Sequence, residues 1–88
     1  MKHYLNVVSE RADVLSYDMR HIQTLSFGKA DKAMATATPR DGGQYEIKPG
    51  DDLIRIRFLD DTEEWFRADK WSIYFSEEIP PEKWTKEV

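Results

Sequence analysis

Residues 53–76 carry the clearest alternation of apolar and polar side chains in the chain. Along 53–59, two isoleucines and Phe58 fall on one side and two arginines on the other, which is typical of a half-buried strand. Acidic turns at 60–62 and 69–70 separate this strand from two more apolar stretches. The pattern therefore predicts a three-stranded antiparallel meander.

The register of the hairpin formed by the first two strands of the meander follows from which of its faces is buried. A three-residue loop at 60–62 places Ile54 opposite Ala68, whereas a two-residue loop would place it opposite Arg67. We therefore predict the three-residue loop, which leaves Glu64 as the one polar residue on an otherwise apolar face. That face comprises Ile54, Ile56, Phe58, Phe66, Ala68, Trp71, Ile73 and Phe75.

A second hairpin is indicated upstream of the meander. Residues 33–38 and 44–48 flank the turn-forming residues 39–43. The dipeptide at 49–50, Pro-Gly, supplies the turn from this hairpin into the meander.

The pattern at residues 3–8 predicts a short strand, whereas residues 9–27 are compatible with either a helix or a strand. A helix would begin at Ser9 as N-cap and end at Gly28, and its apolar stripe comprises Leu15, Met19, Ile22 and Leu25. A strand would follow an alternation of apolar and polar residues that is interrupted twice. We favour a helix near residues 10–27.

With 88 residues, the chain has room for a single domain. We predict a β-rich fold, α+β or all-β, over residues 1–78, whose antiparallel meander can close into a small barrel. Residues 50–55, together with the acidic turn after the strand, resemble segments of SH3-like barrels, and nothing about function is carried over from this resemblance. Residues 79–88 form a tail that we expect to dock through Trp84, on its own sheet or in a contact with a subunit or partner.

The absence of cysteine excludes disulfides, thiolate zinc sites and cysteine nucleophiles. Small secreted domains usually need disulfides, and no apolar stretch is long enough for a signal peptide or a membrane span, so we expect a cytoplasmic protein. The net charge of −4 is uneven, because residues 1–50 sum to +1 and residues 51–88 to −5. The acidic half argues against general nucleic-acid binding and is compatible with a basic protein partner, with mimicry of DNA or with a solvated surface.

The sequence carries no recognisable catalytic constellation. His3 and His21 are the only histidines, and neither lies near a nucleophile signature. The paired acids at 51–52 and 60–61 are turn formers, and no glycine-rich phosphate loop is present. We expect no enzyme activity, no cofactor and no metal site.

The polar face of the meander is the candidate binding surface. In the predicted register, five large side chains point away from the core: Arg55, Arg57, Trp65, Arg67 and Tyr74. Arginines beside aromatics can stack on a nucleotide or anchor a protein interface. Alternatively, acidic neighbours such as Glu46 or Glu63 neutralise the arginines on a solvated face.

These features together lead to one functional expectation and two alternatives. We expect a non-enzymatic module that docks on a protein partner and inhibits or adapts it, a role common among viral and mobile-element accessory proteins. The alternatives are a homo-oligomeric binder of a small anionic ligand such as a nucleotide, and an acidic DNA mimic.

Overall fold

The structure is a computed structural model that describes residues 2–37, 44–81 and 85–88, with the backbone alone at 36–37 and 44–45. Its strands are β1 (Tyr4–Ser9), β2 (Val14–Asp18), β3 (Ile22–Lys29), β4 (Met34–Ala37), β5 (Gln44–Ile47), β6 (Asp52–Phe58), β7 (Glu63–Arg67), β8 (Trp71–Ser76) and β9 (Thr85–Glu87). One 3₁₀ turn, Met19–His21, joins β2 to β3. The β-rich class predicted from the sequence is confirmed.

The described residues form two sheets and a separate hairpin. The four-stranded sheet has the order β8-β1-β2-β9, the three-stranded sheet has the order β3-β6-β7, and β4 pairs with β5. Every pairing is antiparallel except that of β2 with β9. The described strands form no closed barrel, so the expected barrel closure is wrong. The two sheets instead pack face to face over a shared core.

The core lies between these two sheets. Its buried residues are Leu5, Val7, Leu15, Tyr17, Ile54, Ile56, Phe66 and Trp71. Phe66 is fully buried, and its ring centroid lies 5.0 Å from that of Trp71 and 6.5 Å from that of Tyr17. Large rings from both sheets therefore meet at Phe66, where aromatic contacts add to the stabilisation from burial.

The third strand of the predicted meander leaves the sheet. β8 pairs with β1 of the other sheet, where Ile73 lies opposite Val7. The corner between β7 and β8 is held by hydrogen bonds from the Lys70 N–H to the Arg67 carbonyl, 3.2 Å, and from the Glu10 N–H to the Lys70 carbonyl, 3.0 Å. A single three-stranded sheet has no second layer to bury its apolar face, and the crossing strand supplies part of that layer.

The β6–β7 hairpin has the predicted face but a different register. Ile54 lies opposite Phe66 rather than Ala68, so the three-residue loop is 59–61 and not 60–62. The third loop residue, Asp61, has a φ of 68°, which matches a type I turn followed by a left-handed residue. The shift is two residues, and because side chains alternate with period 2, the same side chains of β6 and β7 share the core-facing side. Ala68, which was expected on that face, is exposed.

The helix expected near residues 10–27 is not formed. This segment contains β2, β3 and the 3₁₀ turn instead. Ser9 does not begin a helix, because its Oγ accepts hydrogen bonds from the N–H groups of Arg11 and Asp13, 3.2 and 3.1 Å, and closes a tight loop. Residues 14–17 are all buried, which a one-faced helical stripe would not allow.

The upstream hairpin and the turn after it agree with the sequence. β4 and β5 pair in register from Met34 opposite Ile47 onward, while the expected loop at 39–43 lies outside the described residues. Gly50 has a φ of 92°, and the Asp51 N–H donates to the Lys48 carbonyl, 3.1 Å, across the Pro-Gly turn. Only glycine adopts this φ without steric cost.

The C-terminal segment adds a strand to the four-stranded sheet. Pro80 is buried, and β9 runs parallel to β2 with Thr85 opposite Val14. Trp84 lies outside the described residues, so its role in docking the tail stays a prediction.

The outer side of the four-stranded sheet contains a buried polar network. Asn6 and Ser16 are both fully buried, and the Ser16 hydroxyl donates to Asn6 Oδ1, 2.7 Å. Asn6 Nδ2 in turn donates to Ser76 Oγ, 2.9 Å, which ties three neighbouring strands together. The buried polar groups of this network therefore find their hydrogen-bond partners within the protein, as buried polar groups generally do.

Candidate functional site

Four of the five predicted binding residues share one surface. Arg55, Arg57, Trp65 and Arg67 lie on the outer side of the β6–β7 pair, with Arg55 directly opposite Trp65. Tyr74 lies on β8 in the other sheet, because the third strand does not join this pair. The structure therefore does not bring Tyr74 to the other four.

Each arginine on this surface has a carboxylate neighbour. The pairs are Arg67 Nη2 with Asp69 Oδ2 at 2.8 Å, Arg57 Nη2 with Asp61 Oδ1 at 3.3 Å, and Arg55 Nε with Glu63 Oε1 at 4.0 Å. Glu63, expected from the sequence as a neutralising partner, does lie beside Arg55. Exposed pairs stabilise a fold little, but an anionic ligand would have to compete with these carboxylates.

Trp65 is a packing residue rather than an open stacking platform. It is half-buried and lies against a small second cluster whose buried members are Ala30, Ile47 and Leu53. Ile47 belongs to β5, so the β4–β5 hairpin lies over this part of the outer surface. Only part of the Trp65 ring is left to a ligand.

A cleft of about 420 Å³ opens between the two sheets at the end where β2 and β6 finish. Its lining residues are Tyr17, Asp18, His21, Phe58, Leu59, Asp60, Thr62, Glu64 and Val88. The rings of Tyr17 and Phe58 form its base, with centroids 5.4 Å apart and planes inclined at 33°. This size, with aromatic walls and a few polar groups, is typical of a binding cleft.

Glu64 is an exposed carboxylate of the cleft. It lies on the core-facing side of β7, and no hydrogen bond or ion pair with the described residues engages its carboxylate. Partial burial raises the pKa of Glu64 above its ordinary value, and the positive charge of Lys86 opposes that rise. Burial raises the pKa of Tyr17 as well, with Glu64 as a second cause, so the phenol is neutral at physiological pH.

The two aspartates that line the cleft are held by local hydrogen bonds. Asp18 accepts from the Arg20 backbone N–H at 2.9 Å and from its guanidinium at 2.7 Å, and these bonds hold the pKa of Asp18 well below its usual range. Asp60 accepts from the Thr62 hydroxyl at 2.6 Å and from its N–H at 3.0 Å, which lowers the pKa of Asp60. Both remain negatively charged at neutral pH, and Asp18 has the Arg20 guanidinium beside it.

The chemistry available to the cleft is that of cation binding. Within the described residues, no group of three or more histidines and carboxylates is arranged to hold a metal ion. His21 is exposed, and its carbonyl accepts from the Leu59 N–H at 2.9 Å, which closes the cleft rim. A planar or aliphatic cation could lie against the half-buried Phe58 ring with its charge toward Glu64, whereas the Tyr17 ring is buried and leaves almost no surface to a ligand.

The sequence contained one signal of this site. Glu64 stood out as the single polar residue on an apolar face, and the structure places it at the cleft. The contribution of Tyr17 was not foreseen, because it depends on β2 lying across β6.

Comparison with known proteins gives no matching family model, no matching curated protein and no matching solved structure. Among the described residues, no helix is long and apolar enough to cross a membrane.

Proposed function

We propose that the protein is a non-enzymatic binding module that docks on a protein partner and inhibits or adapts it, and that the cleft takes a basic side chain of that partner. The observation that carries this proposal is the Glu64 carboxylate, which makes no hydrogen bond or ion pair with the described residues and lines the cleft together with Phe58. We keep a cytoplasmic location as part of the proposal, because the chain has no cysteine.

The charge distribution supports a basic partner over an anionic ligand. Residues 51–88 sum to −5, and they supply Asp60 and Glu64 to the cleft. The arginines that would attract a nucleotide are already beside carboxylates. Complementary charge on a partner would raise the association rate and make binding sensitive to salt.

The proposal is tested by NMR titration with a capped Gly-Arg-Gly peptide. We expect the amide signals of residues 17, 58 and 64 to shift, and the shifts to weaken as salt is raised. A capped Gly-norleucine-Gly peptide is the matched control, because it has a similar aliphatic length without the charge. Equal shifts with both peptides would contradict the proposal.

Variants separate the cleft from the arginine surface. Glu64→Gln should reduce the shifts caused by the arginine peptide, whereas Glu63→Gln, which removes the same charge on the outer side of β7, should not. Titration with ATP tests the anionic-ligand alternative. Shifts that occur only with ATP and only around Arg55 and Arg57 would favour that alternative over the cleft.

A further inference from the structure

β3 lies at the edge of the three-stranded sheet. It pairs with β6 along its length, and no other described strand pairs with it. Only Ile22 and Leu25 of its eight residues are half-buried, and the others are exposed. Exposed strand edges are templates for pairing with another chain, and proteins usually block them with charges, proline or a short length.

β3 has none of these blocks along residues 24–28, and its one irregularity, a register shift against β6 between Ile22 and Thr24, lies at the start of the strand. Residues 22–28 contain neither a charged side chain nor a proline, and the only charge of the strand is Lys29 at its end, paired with Asp52 at 2.7 Å. Phe27 is 64% exposed although it lies on the core-facing side, opposite Ile54. The described part of β3 thus offers an unprotected backbone edge and an exposed ring together.

We propose that β3 pairs with β3 of a second copy of this chain, antiparallel and about a two-fold axis at Ser26. This pairing would join two three-stranded sheets into one six-stranded sheet. A symmetric dimer requires a surface that is complementary to itself, and a strand without charges places no like charges opposite each other.

The backbone of β3 is oriented for this register. The Ala30 N–H donates to the Asp51 carbonyl at 2.9 Å, so Ala30 directs its backbone groups toward the β6 side. Backbone groups alternate in direction along an antiparallel strand, so Leu25 and Phe27 direct theirs to the free side. With the axis at Ser26, Leu25 of each copy lies opposite Phe27 of the other, and each such pair can exchange two hydrogen bonds.

The side chains are compatible with the same register. Leu25 and Phe27 lie on one side of the strand, so the two Leu–Phe pairs of the dimer would form a continuous apolar cluster beside the axis. On the other side, Thr24 would lie opposite Gly28 of the second copy, and Ser26 opposite its own equivalent. These residues are small and uncharged, which leaves that side free of steric conflict.

A cysteine crosslink tests both the dimer and its register. The protein has no cysteine, so Ser26→Cys introduces a single thiol. At the axis the two copies form a non-hydrogen-bonded pair with about 4.5 Å between Cα atoms, within the range that a disulfide spans. Thr24→Cys is the matched control, because two residues at position 24 would be about 13 Å apart along the strands.

We expect mild oxidation to convert most of the Ser26→Cys protein to a covalent dimer and to leave the Thr24→Cys protein monomeric on a non-reducing gel. Sedimentation velocity of the unmodified chain should show a concentration-dependent doubling of mass. Phe27→Pro removes one N–H on the free side without removing a β6 hydrogen bond, and it should abolish that doubling.

Three outcomes would overturn the inference. The first is a monomeric mass for the unmodified chain at all concentrations. The second is a dimer in which Ser26→Cys crosslinks no better than Thr24→Cys, which would place the contact elsewhere. The third is a Phe27→Pro protein that is folded by circular dichroism and still dimeric. This dimer involves β3, which does not line the cleft, so its test is independent of the test of the cleft proposal.

Discussion

Glu64 lies directly opposite Ile56 across the β6–β7 pair. Both side chains are on the core-facing side, yet Ile56 is fully buried whereas Glu64 is exposed at the cleft. The apolar core therefore ends between these two strands, and the cleft begins there. A polar residue at this point is tolerated because the cleft admits water, although its carboxyl is partly shielded.

Glu64→Gln should stabilise the fold at neutral pH. Because burial raises the folded-state pKa of Glu64, the folded state binds its proton more tightly than the unfolded state does. The contribution of Glu64 to stability is then greatest below the unfolded pKa of about 4.3 and is lost as pH rises through the folded pKa. We expect the variant to melt a few degrees higher than the unmodified protein at pH 7, with the difference disappearing below about pH 4.

Thermal denaturation followed by circular dichroism at both pH values measures this difference. Glu63→Gln is the control, because it removes a carboxylate that lies beside Arg55 on the outer surface. The quantity to compare is the melting temperature of Glu64→Gln minus that of the unmodified chain. A smaller difference at pH 7 than at pH 4 would contradict the assignment of the raised pKa.

The buried Asn6 and Ser16 should be energetically coupled. Asn6→Ala leaves the Ser16 hydroxyl without its acceptor in a site closed to water, which costs about 1–3 kcal/mol. Ser16→Ala alone leaves Asn6 Oδ1 unsatisfied. In urea denaturation of both single variants and the double variant, we expect a coupling energy of at least about 0.5 kcal/mol. Additive losses would show that the two groups do not depend on each other.

Gly50→Ala should destabilise the protein through the backbone alone. No atom lies within 4 Å of an added Cβ at Gly50, but its φ of 92° is one that alanine adopts at a cost of about 1–2 kcal/mol. Gly28→Ala is the matched control, because a Cβ there also meets nothing within 4 Å and the φ is ordinary. Chemical denaturation should show a loss for the first variant and little change for the second. An equal loss of stability in the two variants would mean that the backbone of the turn changes its φ to accommodate alanine at position 50.

Phe66→Ala should be among the most damaging single substitutions. Its ring is fully buried between Tyr17 and Trp71, and removing a buried phenylalanine side chain costs about 3–5 kcal/mol. Phe75→Ala removes the same ring from an exposed position and should cost less than about 1 kcal/mol. Comparison of the two urea midpoints tests whether the core is centred on Phe66.

The amino-acid sequence by itself determined the elements whose signals are local. The alternation in β6 and β7, the Pro-Gly turn and the β4–β5 hairpin all depend on neighbours a few residues away, and each is present in the structure. The face of the β6–β7 hairpin was also predicted correctly, because period 2 fixes which side chains share a side. Glu64 was visible for the same reason, as a polar residue among apolar ones.

Only the tertiary structure decided the rest. Residues 10–27 carry both a helical stripe and an interrupted alternation, and the sheet partners of β2 and β3 resolve that ambiguity in favour of strands. β8 leaves the expected meander because pairing with β1 lets Trp71 bury its ring against Phe66. That same crossing separates Tyr74 from the arginines. The packing of one sheet against the other places Tyr17 beside Phe58 and creates the cleft, since contacts between residues distant in sequence have no local signal.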